Sequence, residues 1–474
     1  MTIWLPNLAD RKGPRYQAIA DALADDIAAG TLTPGTRLPT HRDLAWRLGV
    51  TIGTVSRAYA EAERRGLIGG EVGRGTFVRN PAEAARRRGT GRAESQHYRY
   101  AGPIGPMEQI DLARNYMPLG PAPAMLAETL REISAEGDAT ALMSYHLPAG
   151  WIGHSMAGVK WLAASGIEAT PERLVVTCGG HHGVSLSLSA LARPGDVIAA
   201  ESLTYTGLMA VCRQHGMTIE PIAHDDEGIL PDAFEATCRR MAIRFLYLVP
   251  NLQNPLGGIL STPRREAIVA TARRHDVLII EDDIFGFLIE APPAFVTLAP
   301  ERTLHVASLS KSLAPGLRIG WLLTPPALTQ RIADAIHADV WMAAPLMAEI
   351  ASRWIADGRA AALAQWKRDQ APRHQEFARR ILGNSYAPSH PHAYHFWLPL
   401  PVERRAADVV AEAQRRGVAV LSGDAFAAAP GYPIANGIRI CLGATADLAT
   451  LEQGLSILAG VLKDQPATPR LLVV

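Results

Sequence analysis

With 474 residues, 47 Lys and Arg, and 46 Asp and Glu, the chain is longer than one hydrophobic core sustains and close to neutral; two or more domains are expected, and a global field for nucleic acid or membranes is excluded. Any DNA site must be local. Cys178, Cys212, Cys238 and Cys441 form no CxxC pair, which argues against a structural metal site or a disulfide framework and suits a reducing cytoplasm.

The opening MTIWLPNLADRKGPRYQ has acids and a proline where a signal peptide needs an apolar core, and no run of about 18 apolar residues follows, so no membrane partner is expected. In YQAIADALADDIAAG, Ile19, Leu23 and Ile27 recur at spacings of four and predict one face of a helix stopped by Gly30. Pro34-Gly35 marks a turn, after which Thr40 caps a short helix with Leu44 and Leu48 inward and Gly49 at its end. The next helix starts near Thr51 and buries Val55, Tyr59 and Ala62. It leaves Thr51, Gly53, Thr54, Ser56 and Arg57 at the N-terminal end that a recognition helix offers to base edges. GLIGGEVGRGTFV then reads as a hairpin around Gly73-Arg74-Gly75, a wing with one cation at its tip. These elements predict an α+β winged helix-turn-helix over residues 10–79 that binds a double-stranded DNA operator. Arg42, Arg47, Arg57 and Arg74 would meet phosphates or bases, with Thr51, Thr54 and Ser56 beside them.

From Tyr16 to Val78 the chain resembles the GntR family of winged-helix regulators. That family's PGxxLPxxRxLAxxLGV, TVxRAYxxLxxxGL and GxGTFV are matched by PGTRLPTHRDLAWRLGV, TVSRAYAEAERRGL and GRGTFV. Ile52 stands where many relatives carry a basic or polar residue, so the base preference at that position does not carry over. Beyond the wing, apolar residues thin out and Arg, Gly and Pro accumulate, which predicts a linker over residues 80–108, with Arg86, Arg87 and Arg88 as a solvated tether.

Over residues 109–466, apolar runs alternate with amphipathic stretches. RLVVTCGG, DVIAAES, FLYLVPN, DVLIIEDD and TLHVASLS each end in polar or Gly residues, the pattern of an α/β domain with a largely parallel sheet whose ligands sit beyond the strand ends. In SLSKSLAPGLRIGW, Lys311 lies among Ser308, Ser310 and Arg318. Burial and neighbouring positive charge would free a lysine amine for imine formation, while hydroxyls and an arginine suit a cofactor phosphate. In DVLIIEDDIF, Asp282 is the carboxylate placed to protonate a pyridine nitrogen. Asn254, in VPNLQNPLGG, could bond the cofactor's 3-oxygen. Gly180 and His181 would offer backbone N–H groups to an anion at a helix N-terminus, and Tyr205 could stack on a planar ring.

In this order, from about Asp111 to Leu462, the segments resemble fold-type I aminotransferases near the kynurenine and aminoadipate enzymes. The resemblance implies pyridoxal 5'-phosphate as cofactor, with Lys311 as its covalent anchor. It also implies Arg439, in GIRICLGA, as the guanidinium that takes a substrate carboxylate, and Tyr145, in SYHLPAG, as a tyrosine reaching the phosphate of the other subunit. Two positions depart from the pattern. Phe285 replaces the tyrosine that bonds the 3-oxygen, and Gly180-His181, followed by His182, replaces the usual polar pair after the phosphate-loop glycine. A GntR-type reader fused to such a domain resembles the MocR subfamily of regulators. That resemblance implies a head-to-tail homodimer whose effector is pyridoxal phosphate itself or an amino compound reacting at Lys311. A working aminotransferase with an accessory DNA-binding domain is the alternative left open.

Overall fold

Ile19 and Leu23 are buried under α1 (Arg15–Ala28), as their spacing of four requires, and Gly30 follows at φ +74°, the left-handed conformation that stops a helix. The computed structural model describes residues 4–8, 14–33, 35–64, 67–71, 75–78, 109–445 and 447–464. The expected linker and Arg74 lie outside them. The chain divides into two units, Met1–Ala101 and Gly102–Val474.

In the first unit α2 (His41–Leu48) opens on Thr40, whose hydroxyl accepts the Asp43 N–H at 3.2 Å, and closes on Gly49 at φ +63°. Thr51 starts α3 (Ile52–Arg64) in the same way, its hydroxyl accepting the Thr54 N–H at 3.2 Å. Leu23, Leu44, Val55, Tyr59 and Ala62 form one core with Ile68 and Val78 of the hairpin, β1 (Ile68–Glu71) and β2 (Gly75–Val78). Residues 35–38, where the sequence predicts no element beyond the turn at Pro34-Gly35, add an edge to that hairpin. The Leu38 N–H donates to Thr76 O at 2.8 Å and the Val78 N–H to Thr36 O at 2.9 Å.

The second unit begins with β3 (Ile110–Asp111) and carries a seven-stranded sheet: β4 (Leu174–Thr177), β5 (Val197–Glu201), β6 (Thr218–Ile222), β7 (Phe245–Leu248), β8 (Leu278–Asp282), β9 (Thr303–Ser308) and β10 (Gly320–Leu323). The order is β4-β10-β9-β8-β7-β5-β6, and every neighbour pair is parallel except those made by β10. Helices cover both faces, which is why β4, β7, β9 and β10 are buried throughout and read as unbroken apolar runs. A second, smaller sheet joins β11 (His395–Pro399), β14 (Gly437–Cys441) and β13 (Leu421–Ser422), while β12 (Val418–Ala419) pairs with β3.

One buried charge cluster ties the sheet to its covering segments. Glu281 accepts the backbone N–H groups of Phe295 (2.8 Å) and Val296 (3.1 Å) and faces His305 Nδ1 at 2.8 Å. Burial opposes its charge, but His305, these amides and Arg265 outweigh burial and hold the carboxyl below its ordinary value. Arg265 is itself fully buried, with donors to the carbonyls of Leu260, Pro250 and Pro292. Removing one partner of such a pair strands the other, so Glu281→Ala should cost about 3–5 kcal/mol in denaturant unfolding. A loss under about 1 kcal/mol would show that the cluster contributes little.

Candidate functional site

The first unit presents Arg42 and Arg47 on α2, and Thr51, Ser56 and Arg57 on α3, to solvent, with Thr54 partly covered. They differ in what they already do. Thr51 and Thr54 share a hydroxyl contact of 2.9 Å, and Arg47 Nε donates to Asp43 Oδ1 at 3.1 Å, so those groups must exchange an internal partner for DNA. Arg42 and Arg57 are exposed and have no ion-pair partner among the described residues. Trp46, 82% exposed on α2, is an apolar neighbour that the sequence pattern did not single out.

In the second unit the strand ends gather the remaining candidates. Asp282 closes β8 and is buried; its Oδ2 accepts the Tyr247 hydroxyl from β7 at 2.7 Å, and its Oδ1 is buried without a partner. Burial raises this carboxyl to about 6, against the pull of Tyr247. Lys311 lies in the short helix Leu309–Ser312 after β9, and its Nζ donates to the Asn115 backbone O and sits 5.7 Å from the Tyr116 ring centroid. Asn254 precedes a cis peptide to Pro255, and its Oδ1 accepts from Arg439 Nη1 at 2.7 Å. Arg439 is buried over the Phe426 ring, with Nη2 on Ala113 O and Nε buried without a partner.

The turn after β4 gathers the residues expected around an anion. Gly179, at φ +89°, leads into the helix Gly180–Leu191. The Gly180 and Ser310 N–H groups both donate to Ser308 Oγ at 3.2 Å, and Arg318 bonds Ser310 Oγ (3.2 Å) and Cys178 O (2.9 Å). A Cβ on residue 179 would lie 2.9 Å from Arg318 Nη2, so only glycine lets the guanidinium close over the turn. The Tyr205 ring meets His181 edge-on at 6.1 Å. His182, which departs from the aminotransferase pattern, turns out to be a latch: Nδ1 accepts the Cys178 N–H at 2.9 Å and Nε2 faces Asp339 at 3.1 Å. Tyr145 stands outside this cluster, 80% exposed against Trp341.

Three further residues were not anticipated. Tyr247 is a lone hydroxyl in the apolar run of β7, and that polarity was the only signal available. Asn115 and His395 sit in no motif. The His395 Nε2 donates to Gln253 O at 3.0 Å and its Nδ1 accepts from Asn115 Nδ2 at 3.0 Å, and burial lowers its pKa to about 4. Phe285 packs on this neutral imidazole, ring centroids 5.4 Å apart.

Residues 107–458 match the family of class I and II aminotransferases, and residues 15–78 match the gntR family of bacterial regulatory proteins. The chain is 30% identical to the uncharacterized HTH-type transcriptional regulator YdeF of Bacillus subtilis (strain 168), over 97% of both chains. It is 27% identical to the vitamin B6 salvage pathway transcriptional repressor PtsJ of Salmonella typhimurium, over 91% of this chain and 94% of that one. Among solved structures, kynurenine aminotransferase from Pyrococcus horikoshii superposes with a TM-score of 0.68 at 23% identity, over 75% of this chain and 91% of that one. The alpha-aminoadipate aminotransferase LysN of Thermus thermophilus gives 0.67 at 23% identity, over 75% of this chain and 92% of that one. The chain is therefore a winged helix-turn-helix reader fused to a fold-type I aminotransferase domain, a class whose cofactor is pyridoxal 5'-phosphate. It belongs to the MocR subfamily of GntR-type transcription regulators.

The residues present fit that cofactor: an unpartnered buried carboxylate oxygen on Asp282, an anion cup and a lysine amine converge at the same strand ends. Burial lowers the Lys311 ammonium from 10.5 to about 8; Cys441 opposes the shift and Arg439 adds to it. Only the neutral amine attacks a carbonyl. Covalent capture of pyridoxal phosphate by the cofactor-free chain should therefore quicken about tenfold per pH unit, then level off near pH 8. Stopped-flow absorbance checks this, and a rate still climbing toward 10.5, the ordinary lysine value, would contradict it.

Proposed function

We propose that this protein is a cytoplasmic transcription regulator that senses pyridoxal phosphate, or an amino compound reacting at Lys311, and passes that state to an operator held by its winged helix. One observation carries the reading: in a single chain, a helix-turn-helix with exposed Arg42 and Arg57 accompanies a cluster in which Arg439 bonds Asn254 and the charges of Arg439 and Asp282 act on Lys311.

When bound, the cofactor supplies an aldehyde for covalent attachment and a ring that withdraws electrons. The chain's residues hold it. Asp282 Oδ1 would face the ring nitrogen, with Tyr247 keeping the other oxygen fixed. Asn254 would bond the ring oxygen, and Tyr205 would lie beside the ring. The N–H groups of Gly180 and His181, with Ser308, Ser310 and Arg318, would surround the phosphate. Arg439, anchored by Asn254 and Ala113, would take a carboxylate of the effector. At position 285 a buried phenylalanine lies against His395, so this ring contributes no hydroxyl to the site, which favours sensing over rapid turnover.

The protein would work as a homodimer, arranged head to tail as in the subfamily. Met143, Tyr145 and Leu147 are each at least 75% exposed, and Tyr145 and Leu147 line an open groove of about 640 Å³ with Trp151 and Trp341. An apolar face of this kind suits a second copy, whose anion cup Tyr145 would then complete. No helix among the described residues is long and apolar enough to cross a membrane.

Operator binding by the purified chain tests the reading. Pyridoxal phosphate or an active amine should change the affinity about 5- to 100-fold. Lys311→Ala should keep operator binding and lose the response. Affinity untouched by cofactor and by every amine would refute sensing. Affinity should also fall steeply with salt, and Arg42→Ala and Arg57→Ala should each lower the slope of log K against log salt by about 1; a flat salt profile would refute the DNA assignment.

A further inference from the structure

Lys367 is fully buried in the helix Arg359–Leu382, and no carboxylate among the described residues pairs with it. Its ammonium instead donates to two backbone carbonyls, Lys311 O at 2.9 Å and Leu313 O at 2.6 Å. These carbonyls lie in and just after the single-turn helix Leu309–Ser312, whose last carbonyls have no helical partners. Lys367's own carbonyl accepts the Tyr394 hydroxyl at 2.8 Å, so the backbone bearing the ammonium is fixed as well.

An ammonium in such a place is costly. Methionine, of similar length, would fill the same space without the cost of stripping a charge of water. Burial pulls Lys367 down to about 7, with the charge of Lys311 acting in the same direction. What the amino group's donors provide is direction. Two short bonds from one point, one to Lys311 O and one to Leu313 O, hold the backbone at and just after the residue that carries the reactive amine, and a thioether would provide none.

The helix that carries Lys367 spans three cores. Leu363 packs in the core around β4 and β10, Ala371 in the core under the helix Gly180–Leu191, and Ala378 and Leu382 in the core of the smaller sheet. Lys367 sits between the first two.

We propose that Lys367 is a positioning residue: it grips the backbone of Lys311, sets the approach of that amine to the cofactor, and ties Lys311 to the helix that runs into the smaller lobe. The inference rests on the pyridoxal phosphate pocket described above. It assigns Lys367 no contact with the cofactor itself, so its effect must pass through Lys311.

A binding cycle separates this role from a structural one. Equilibrium affinity for pyridoxal phosphate is measured by fluorescence on the full chain, as wild type, Lys367→Met, Lys311→Ala and the double variant, with folding checked by circular dichroism and thermal melting. Lys367→Met should weaken binding about tenfold where Lys311 is present and less than about twofold where it is absent. Lys367→Gln, which keeps N–H donors on a shorter side chain, should fall between wild type and methionine. Equal losses in both backgrounds, or no loss in either, would overturn the proposal. Loss of the fold in both Lys367 variants would also overturn it, assigning the residue to stability alone. If neither wild type nor Lys311→Ala binds the cofactor, the pocket assignment itself has failed and the proposal falls with it; intact binding in those two chains keeps the two failures distinct.

Discussion

The second unit is organised around a carboxylate that the fold buries and only half satisfies. Asp282 lies at the end of β8 with Tyr247 on one oxygen and no partner on the other among the described residues. A buried oxygen left open costs on the order of 1–3 kcal/mol, more when charged, and a parallel sheet has no use of its own for it. A protonated ring nitrogen opposite Oδ1 would supply the missing bond and favour the ionised form of Asp282. The unfavourable state of the empty site and the affinity of the filled one then share one origin.

Its neighbours show how one short run of acids is divided by strand geometry. Glu281, Asp282 and Asp283 are consecutive, the first two buried in β8 itself, yet alternation along the strand sends Glu281 to the opposite face, where His305 and two backbone amides hold it. Asp283, just past the strand, accepts from Asn251 at 2.7 Å and from the Gly286 N–H at 3.0 Å and shapes the following turn. Glu281 has partners on both oxygens and Asp283 on one. Asp282 keeps a buried oxygen without a partner among the described residues, and that is the feature on which the proposed ligand contact rests.

Much of this was legible in the sequence because each element announces itself through backbone chemistry. Thr40 and Gly49 bracket α2 as cap and stop, and the spacing of Val55, Tyr59 and Ala62 fixes the inner face of α3. Lys311, Asp282 and Asn254 follow apolar runs, so the rule that ligands gather at strand ends places them together. What was not legible depends on distant segments meeting. The pairing of residues 35–38 was not legible because their partner, β2, lies far along the chain and leaves no local mark. Asn115 and His395 are separated by 280 positions and Lys367 from Lys311 by 56, and each pair is joined by single hydrogen bonds that carry no periodicity. His182 looked like a change in the phosphate loop; its partners Cys178 and Asp339 show that it fastens the loop from behind.

The electrostatics of the reader bear on how such a regulator can respond. The chain as a whole is nearly neutral, and of the arginines described on the reader's exposed face, Arg47 is already paired with Asp43. A few phosphate contacts give one winged helix modest affinity, because each neutralised phosphate contributes through the counterions it releases and there are few to release. In the proposed dimer the second reader would bind at an effective concentration set by the span between half-sites, and that factor reaches about 10²–10⁴ without any new contact. On the proposed reading, a ligand at Lys311 would not need to alter a single DNA contact. Changing the separation or freedom of two readers that are individually weak is enough, and the weaker each reader is alone, the larger the share of operator affinity that such a change controls.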